Sequence, residues 1–307
     1  MHRVAFYCLC SPTRLQRRFW LAGALLLLGA CASAPQISDK TTSQFNDRAP
    51  VATALTTLAA SRPQTGVRLL ADPTDALQSR LHLAALASST LDIQYYLWQG
   101  DDSGLGLTQE VLAAGDRGVR VRILLDDIYH SHRDSAYQTL DAHPNVEVRL
   151  FNPMGNRGAA KQANYAANKS TFNYRMHNKI FLVDGVAAIL GGRNIGDEYF
   201  GRDPSFNFQD MDAIVVGDAA ADAGEAFDLF WNAEHAIPVA ALNNKEAKAA
   251  TAGQTAELMA ARARIRPAGE RDQAPDAVTD AWLNQLSGEL RWTEARIIVV
   301  RPDRSSA

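Results

Sequence analysis

"YRMHNKIFLVDGVAAILGGRN", residues Tyr174 to Asn194, is the stretch from which the fold can be read. "KIFLV" (Lys179 to Val183) and "VAAIL" (Val186 to Leu190) are short apolar runs joined by Asp184 and Gly185. An Asp-Gly link is preferred in a type I′ turn, which needs positive φ at both central positions, so a β-hairpin is expected here. Along a strand, residues two apart share a face. His177 and Lys179 therefore point the same way, and Phe181 and Val183 continue that face. An imidazole beside an ammonium makes poor core, because neither is cheap to bury alone and the two repel when both are charged.

Strand and helix signals alternate on the N-terminal side of this hairpin. "GVRLL" (Gly66 to Leu70) reads as a strand, and "DPTDALQSRLHLAALASS" after it has a proline near its start and helical apolar spacing. "LDIQYYLW" (Leu91 to Trp98) is rich in aromatic and branched residues, a strand signal. A helix follows, closed by Gly115 or Gly118, then the apolar strand "VRVRILLDD", a short helix near Ser135 to Ala142 and the strand "VEVRLFNP". "GNRGAAKQANYAANKS" is a polar loop. Beyond the hairpin come a strand "MDAIVVG", a helix "AADAGEAFDLFWNAEHA", an Ala-rich charged region over Lys245 to Gly288, and a closing strand "EARIIVVRPDRSSA". Strands separated by single helices imply right-handed crossovers. The expected fold is α/β: a layered structure with a mixed, mainly parallel sheet flanked by helices.

The chain has 307 residues, 47% hydrophobic and 21% charged, an ordinary globular balance. Its formal net charge is -3, but the first 30 residues hold Arg3, Arg14, Arg17 and Arg18 and no acid. The remainder carries 27 basic against 34 acidic residues, which argues against a partner recognised through its nucleic-acid backbone.

His177 and Lys179 together suit attack on a phosphate, with the lysine compensating the oxyanion charge. Their wider setting is His177-x-Lys179-x4-Asp184, then six residues to Gly191-Gly192-Arg193-Asn194. This resembles the HKD signature of the phospholipase D superfamily. "LDIQYYLW", "GVRVRILLDD", "GRNIGDEYFG" and "FDLFWN" are similar to the bacterial cardiolipin synthase branch, most of all its C type, over roughly Val67 to Val239. The resemblance implies cleavage of a phosphodiester through a covalent phosphohistidine, with no cofactor and no metal. It makes His177 the nucleophile, or the general acid if a partner histidine attacks. It assigns phosphate oxygens to Lys179 and Asn194, and close backbone approach to the phosphate to Gly191 and Gly192. Asp212 falls where a carboxylate fixes the imidazole tautomer, with Asp210 on the same face. Asp184 belongs to the motif, but its place as first residue of an Asp-Gly turn accounts for it without catalysis. "DDIYHSHRD" (Asp126 to Asp134) gathers acids and histidines in a way that could mimic a metal site. Its position after a strand's C-terminal end reads equally as an active-site wall or a solvated loop. Trp98, Trp231, Trp282 and Trp292 read as core or interface residues.

The first 30 residues read as a signal peptide. A basic stretch with Arg14, Arg17 and Arg18 precedes "FWLAGALLLLGA" (Phe19 to Ala30), an apolar core of 12 residues and too short to span a bilayer. It ends in "LGAC", which resembles a bacterial lipobox and would make Cys31 an acylated first residue. The other cysteines, Cys8 and Cys10, would leave with the leader, so no disulfide is expected. By the lipoprotein resemblance, Ala32 implies delivery to the outer membrane, with the protein in the cell envelope facing the periplasm. The expected organisation is a signal peptide over 1–30, a lipid-anchored tether over 31–65 and a phospholipase D-like domain with one HKD motif over 66–240. A helical linker and the opening of a second repeat would then fill 241–307.

The family's chemistry uses two such histidines, one to attack and one to protonate the leaving alcohol. No second His-x-Lys occurs, and the only histidine after His177 is His235. Three readings follow: part of a longer synthase, a homodimer pairing two copies of His177, or a catalytically dead remnant that binds lipid headgroups. The favoured function is phosphatidyl transfer between phospholipids, as in cardiolipin synthesis. Phospholipase or nuclease action as a single-motif homodimer is the alternative.

Overall fold

Strand β3 (Arg120–Asp126) lies inside a nine-stranded sheet and is buried almost throughout, which is why its sequence reads as a continuous apolar run. The computed structural model describes residues 41–43, 65–129, 134–153, 174–242, 252–266 and 275–299. The expected signal peptide, Cys31, the polar loop after β4, and His130 and His132 lie outside the described residues.

The strands β1 (Thr65–Leu70), β2 (Thr90–Tyr95), β3, β4 (Val146–Phe151), β5 (Ile180–Val183), β6 (Ala187–Gly191), β7 (Asp212–Val216), β8 (Ala236–Pro238) and β9 (Arg291–Thr293) are ordered β8-β4-β3-β2-β5-β6-β7-β1-β9. Helices α1 (Pro73–Leu86), α2 (Asp102–Asp116) and α3 (Asp134–Asp141) fall between β1 and β4. Helix α4 (Asp218–Trp231) follows β7, a short α5 (Val239–Leu242) follows β8, and α6 (Ala252–Ile265) and α7 (Pro275–Glu289) precede β9.

Local chemistry sets these boundaries. Asp72 caps α1 by accepting from the Asp75 backbone N–H at 2.8 Å, with Pro73 in the first turn. Asp101 caps α2 through Gly104 at 3.0 Å, and Gly118, at φ 91°, turns the chain out of α2 and into β3.

Alternation along the strands builds a core on each face of the sheet. Leu91, Ile93, Val121, Ile123, Phe181, Val183, Ile214 and Val216 join α1, α2 and parts of α6 and α7. Leu124, Ile180, Leu182, Ala188 and Val215 meet Phe227, Phe230 and Trp231 of α4 on the other face. Trp98 and Trp231 are core residues, and Trp282 and Trp292 pack half-buried against the first cluster.

The sheet is mixed and flanked by helices as expected, but it is not mainly parallel. Only β2–β3 and β3–β4 pair in parallel, and the other six pairings are antiparallel. The helical crossovers account for β2 to β4. The Asp-Gly turn then reverses the chain between β5 and β6, and β7 and β1 each pair antiparallel with their neighbours.

The end of the chain also differs from expectation. The closing strand is Arg291–Thr293 rather than the "EARIIVV" run, whose Glu294 to Val299 has no regular structure. It adds to β1 as the outermost strand of the same sheet, with Gly66 opposite Trp292. Helix α6 lies against α2, tied by Arg264 to Asp102 at 2.6 Å. Among the described residues, α6 thus packs on α2 and β9 extends the same sheet.

Part of the expected tether is docked. Thr41 and Ser43 sit against the α4 face, where the Ser43 backbone N–H donates to Asp228 Oδ2 at 2.7 Å. Trp231 Nε1 donates to Thr41 Oγ1 at 2.8 Å, and the buried Arg122 donates to Ser43 Oγ at 2.8 Å. The same guanidinium makes a two-pronged pair with Asp92 at 2.7 and 2.9 Å and reaches Asp228 at 2.9 Å.

Candidate active site

The strand register gathers the candidate residues at one end of the sheet. The C-terminal ends of β2, β3 and β4, the start of β5, the end of β6 and the start of β7 all lie there, with Gln94 opposite Ile180, Ile180 opposite Leu190 and Gly191 opposite Asp212. Ligands of parallel sheets commonly bind at this end.

His177 and Lys179 enter this end just before β5, so they precede the strand and do not form its first residues. Their side chains meet as the two-residue spacing predicts. Lys179 Nζ is 2.9 Å from Nδ1 and 3.3 Å from Nε2 of His177, and it donates to the His177 carbonyl oxygen at 2.7 Å. A group that near both ring nitrogens lies off the ring plane, since an in-plane position would collide with Cε1. The Tyr96 ring closes one side, 4.7 Å from the imidazole centroid and 5.8 Å from Nζ. His177 is exposed while Lys179 is buried, so the imidazole stands at an opening with its charged partner beneath it.

Burial pushes the His177 pKa below its usual range, the Lys179 charge pushes it further, and Asp210 opposes both. The ring is therefore neutral at neutral pH and its lone pair is available. Burial also brings Lys179 down to about 8, against the pull of Asp210 and Asp212.

The two carboxylates have separate surroundings. Asp212 is buried and accepts from Arg80 Nη2 at 2.8 Å and from the Arg193 backbone N–H at 3.1 Å. Arg80 also donates to the Tyr95 hydroxyl at 3.0 Å. The Asp212 carboxylate thus meets this network and acts on Lys179, whereas the carboxylate acting on His177 is that of Asp210, the alternative on the same face. Gly191 and Gly192 are explained by these acids without a ligand. A Cβ on Gly191 would fall 2.1 Å from Asp212 Oδ1, and one on Gly192 would fall 1.9 Å from Asp210 Oδ1.

Asn194 is buried beside the site. Its Oδ1 accepts from the Leu97 backbone N–H at 3.2 Å, and Nδ2 gives one hydrogen to the Tyr199 hydroxyl at 3.0 Å.

Asp184 stands apart from these residues at the opposite end of β5. At φ 51°, followed by Gly185 at 71°, it forms the expected turn. Its buried carboxylate accepts from the backbone N–H groups of Ser89 at 2.7 Å and Thr90 at 2.8 Å and from Ser88 Oγ at 3.0 Å. It ties the hairpin to the segment between α1 and β2, away from the histidine end of the sheet.

Asp126 belongs to the wall of the site. It accepts from the Met176 backbone N–H at 2.9 Å and from Arg175 at 3.1 Å, which holds the residues leading into His177. Burial raises its pKa to about 6, against the Arg175 charge. His235 packs edge-on to Phe151 and Tyr174.

Sequence reasoning missed Tyr96 and Arg80. Adjacent tyrosines in "QYY" point to opposite faces, so one of them had to leave the core face. An arginine within the apolar stripe of α1 signals a buried acidic partner.

A histidine and a lysine thus meet at one end of the sheet beside glycines packed under two acids, with the turn aspartate at the other end. Residues 81–231 match the family described as "Cardiolipin synthase, PLD-like domain", so this part of the chain is similar to that family of the phospholipase D superfamily. It is 43% identical over 190 residues to cardiolipin synthase C of Escherichia coli (strain K12), covering 62% of this chain and 40% of that protein. It is 30% identical over 168 residues to a cardiolipin synthase of Oceanobacillus iheyensis, covering 54% and 33%. The chain thus spans less than half the length of these relatives. Among solved structures, NucT from Helicobacter pylori is 19% identical, with 57% of this chain and 98% of that one covered and a TM-score of 0.42.

Proposed function

We propose that this chain carries one half of a phosphatidyltransferase site of the cardiolipin synthase kind. A ring nitrogen of His177 attacks the phosphorus of a phospholipid such as phosphatidylglycerol, and the P–O bond to the headgroup alcohol breaks. The alcohol leaves with a proton from a second imidazole. A hydroxyl of an acceptor lipid then returns a proton to that imidazole and attacks phosphorus, which frees His177. Lys179 compensates the charge on the nonbridging oxygens. The second imidazole comes from another HKD unit, on a second copy of this chain or on a longer polypeptide that includes these residues. Acylation of Cys31 would hold the site at the membrane that contains its substrate.

The observation that carries this reading is the exposed His177 ring with Lys179 Nζ 2.9 Å away at one end of the sheet. The test is incubation with phosphatidylglycerol carrying a labelled phosphate, His177→Ala against the parent chain. The parent is expected to form labelled cardiolipin and a label on histidine that survives denaturation, and the variant neither. Equal behaviour of the two proteins with no labelled histidine would refute it.

A further inference from the structure

Large apolar side chains are left exposed in two pairs near the active-site end of the sheet: Leu69 (62%) with Met211 (52%), and Phe206 (56%) with Phe208 (42%). Leu69 neighbours Met211 because Leu69 stands opposite Ala213 on β7, two residues further on. The rings are held outward by the loop's own hydrogen bonds. Asp203 Oδ1 accepts from the backbone N–H groups of Ser205 and Phe206 at 2.8 and 3.0 Å, and Asn207 Nδ2 donates to the Asp203 carbonyl oxygen at 2.7 Å. The Phe208 backbone N–H donates to the Glu198 carbonyl oxygen at 2.8 Å. Phe208 stacks on Tyr199 with centroids 4.7 Å apart, and Phe206 meets Phe208 edge-on at 4.7 Å.

Both ends of this loop belong to the site. Tyr199 holds Asn194, and Asp210 acts on His177. A surface that fixed the two phenylalanines would fix His177 relative to itself.

We infer that residues 203–211, with Leu69, are a membrane-docking element whose apolar side chains enter the hydrocarbon edge of a phospholipid surface and set His177 at the headgroups. The inference rests on the transferase reading for its purpose and deepens it by naming how the site meets its substrate. The size of the patch favours a lipid surface over a second protein. At these exposures the four side chains present on the order of 400 Å², at the scale of a functional apolar patch. A standard protein interface needs about 800 Å² on each partner. Arg202, Asp203 and Asp210 leave the loop without positive excess, so charge adds no attraction to anionic lipid. Docking should therefore be apolar and little affected by salt or by anionic lipid.

The test places a reporter in the loop of the full chain. Phe206→Trp keeps an aromatic ring, and its emission is read, after subtracting that of the parent chain, with vesicles of phosphatidylcholine brominated on the acyl chains. Quenching that persists at high salt is expected. A signal unchanged by the vesicles overturns the inference, as does one that changes instead with protein concentration, which would mark a face between copies. In a second arm, Leu69→Ser with Phe206→Ser should lower turnover of phosphatidylglycerol in vesicles by about tenfold or more while sparing a short-chain, monomeric analogue. Equal loss on both substrates, or none on either, also overturns it. The quenching needs no turnover, so an inactive chain would sink the transferase reading and leave the docking result standing.

Discussion

Lys179 is the residue whose ionisation limits the site. Its charge is useful to a phosphate, yet its surroundings lower its pKa to about 8, so it begins to lose that charge just above neutrality. His177 must be neutral to attack, and its pKa is pushed below the ordinary histidine value of about 6.5. A plot of kcat/KM against pH should therefore rise with a pKa below about 6.5 and fall with one near 8. Lys179→Arg should remove the alkaline limb, because a guanidinium keeps its proton throughout. A falling limb that stays near pH 8 in that variant would show that another group sets it. The pairing of these two residues was legible in the sequence from their spacing alone. Tyr96 was not, because an aromatic residue in a strand ordinarily reads as core.

At the scale of elements, the hairpin β5–β6 shows how far turn chemistry reaches. "DG" predicted the reversal, and positive φ at both positions bears it out. What the dipeptide could not show is that the Asp184 carboxylate collects backbone donors from Ser89 and Thr90, more than ninety residues earlier. Replacing it with alanine leaves these buried N–H groups without their acceptor, at about 3 kcal/mol or more. Asp184→Ala should accordingly lower the unfolding midpoint in urea while turnover per folded molecule stays near that of the parent. Full stability with lost turnover would instead restore Asp184 to the chemistry. The sheet's parallel character was over-read for a related reason. Alternating strand and helix signals describe β2 to β4 well, but β1 pairs with β7 and β9, far away in sequence, and no local pattern reveals this.

For the whole molecule, the proposed transfer calls for a second imidazole. If two copies of the chain supply it to each other, mixing parent with His177→Ala at fixed total concentration makes active pairs only between parent chains. Activity should then fall as the square of the parent fraction. A linear decline would mean that each chain works without its neighbour's His177. The domain layout was legible only in part. The sequence reads residues 241–307 as a helical linker and the opening of a second repeat; the described residues of that range include α6, α7 and the outermost strand.

The docked Thr41–Ser43 segment bears on how this protein can be shortened. A start site chosen from the family match would fall at residue 81, and one chosen from regular structure at Thr65. Either excision removes Ser43 and the Thr41 carbonyl from around the Arg122 guanidinium, and it strips Asp228 of the backbone N–H that it holds at 2.7 Å. Three residues with no helical or strand signature thus belong to the folded body, and clones that begin after them would carry an unfinished charge cluster into every assay.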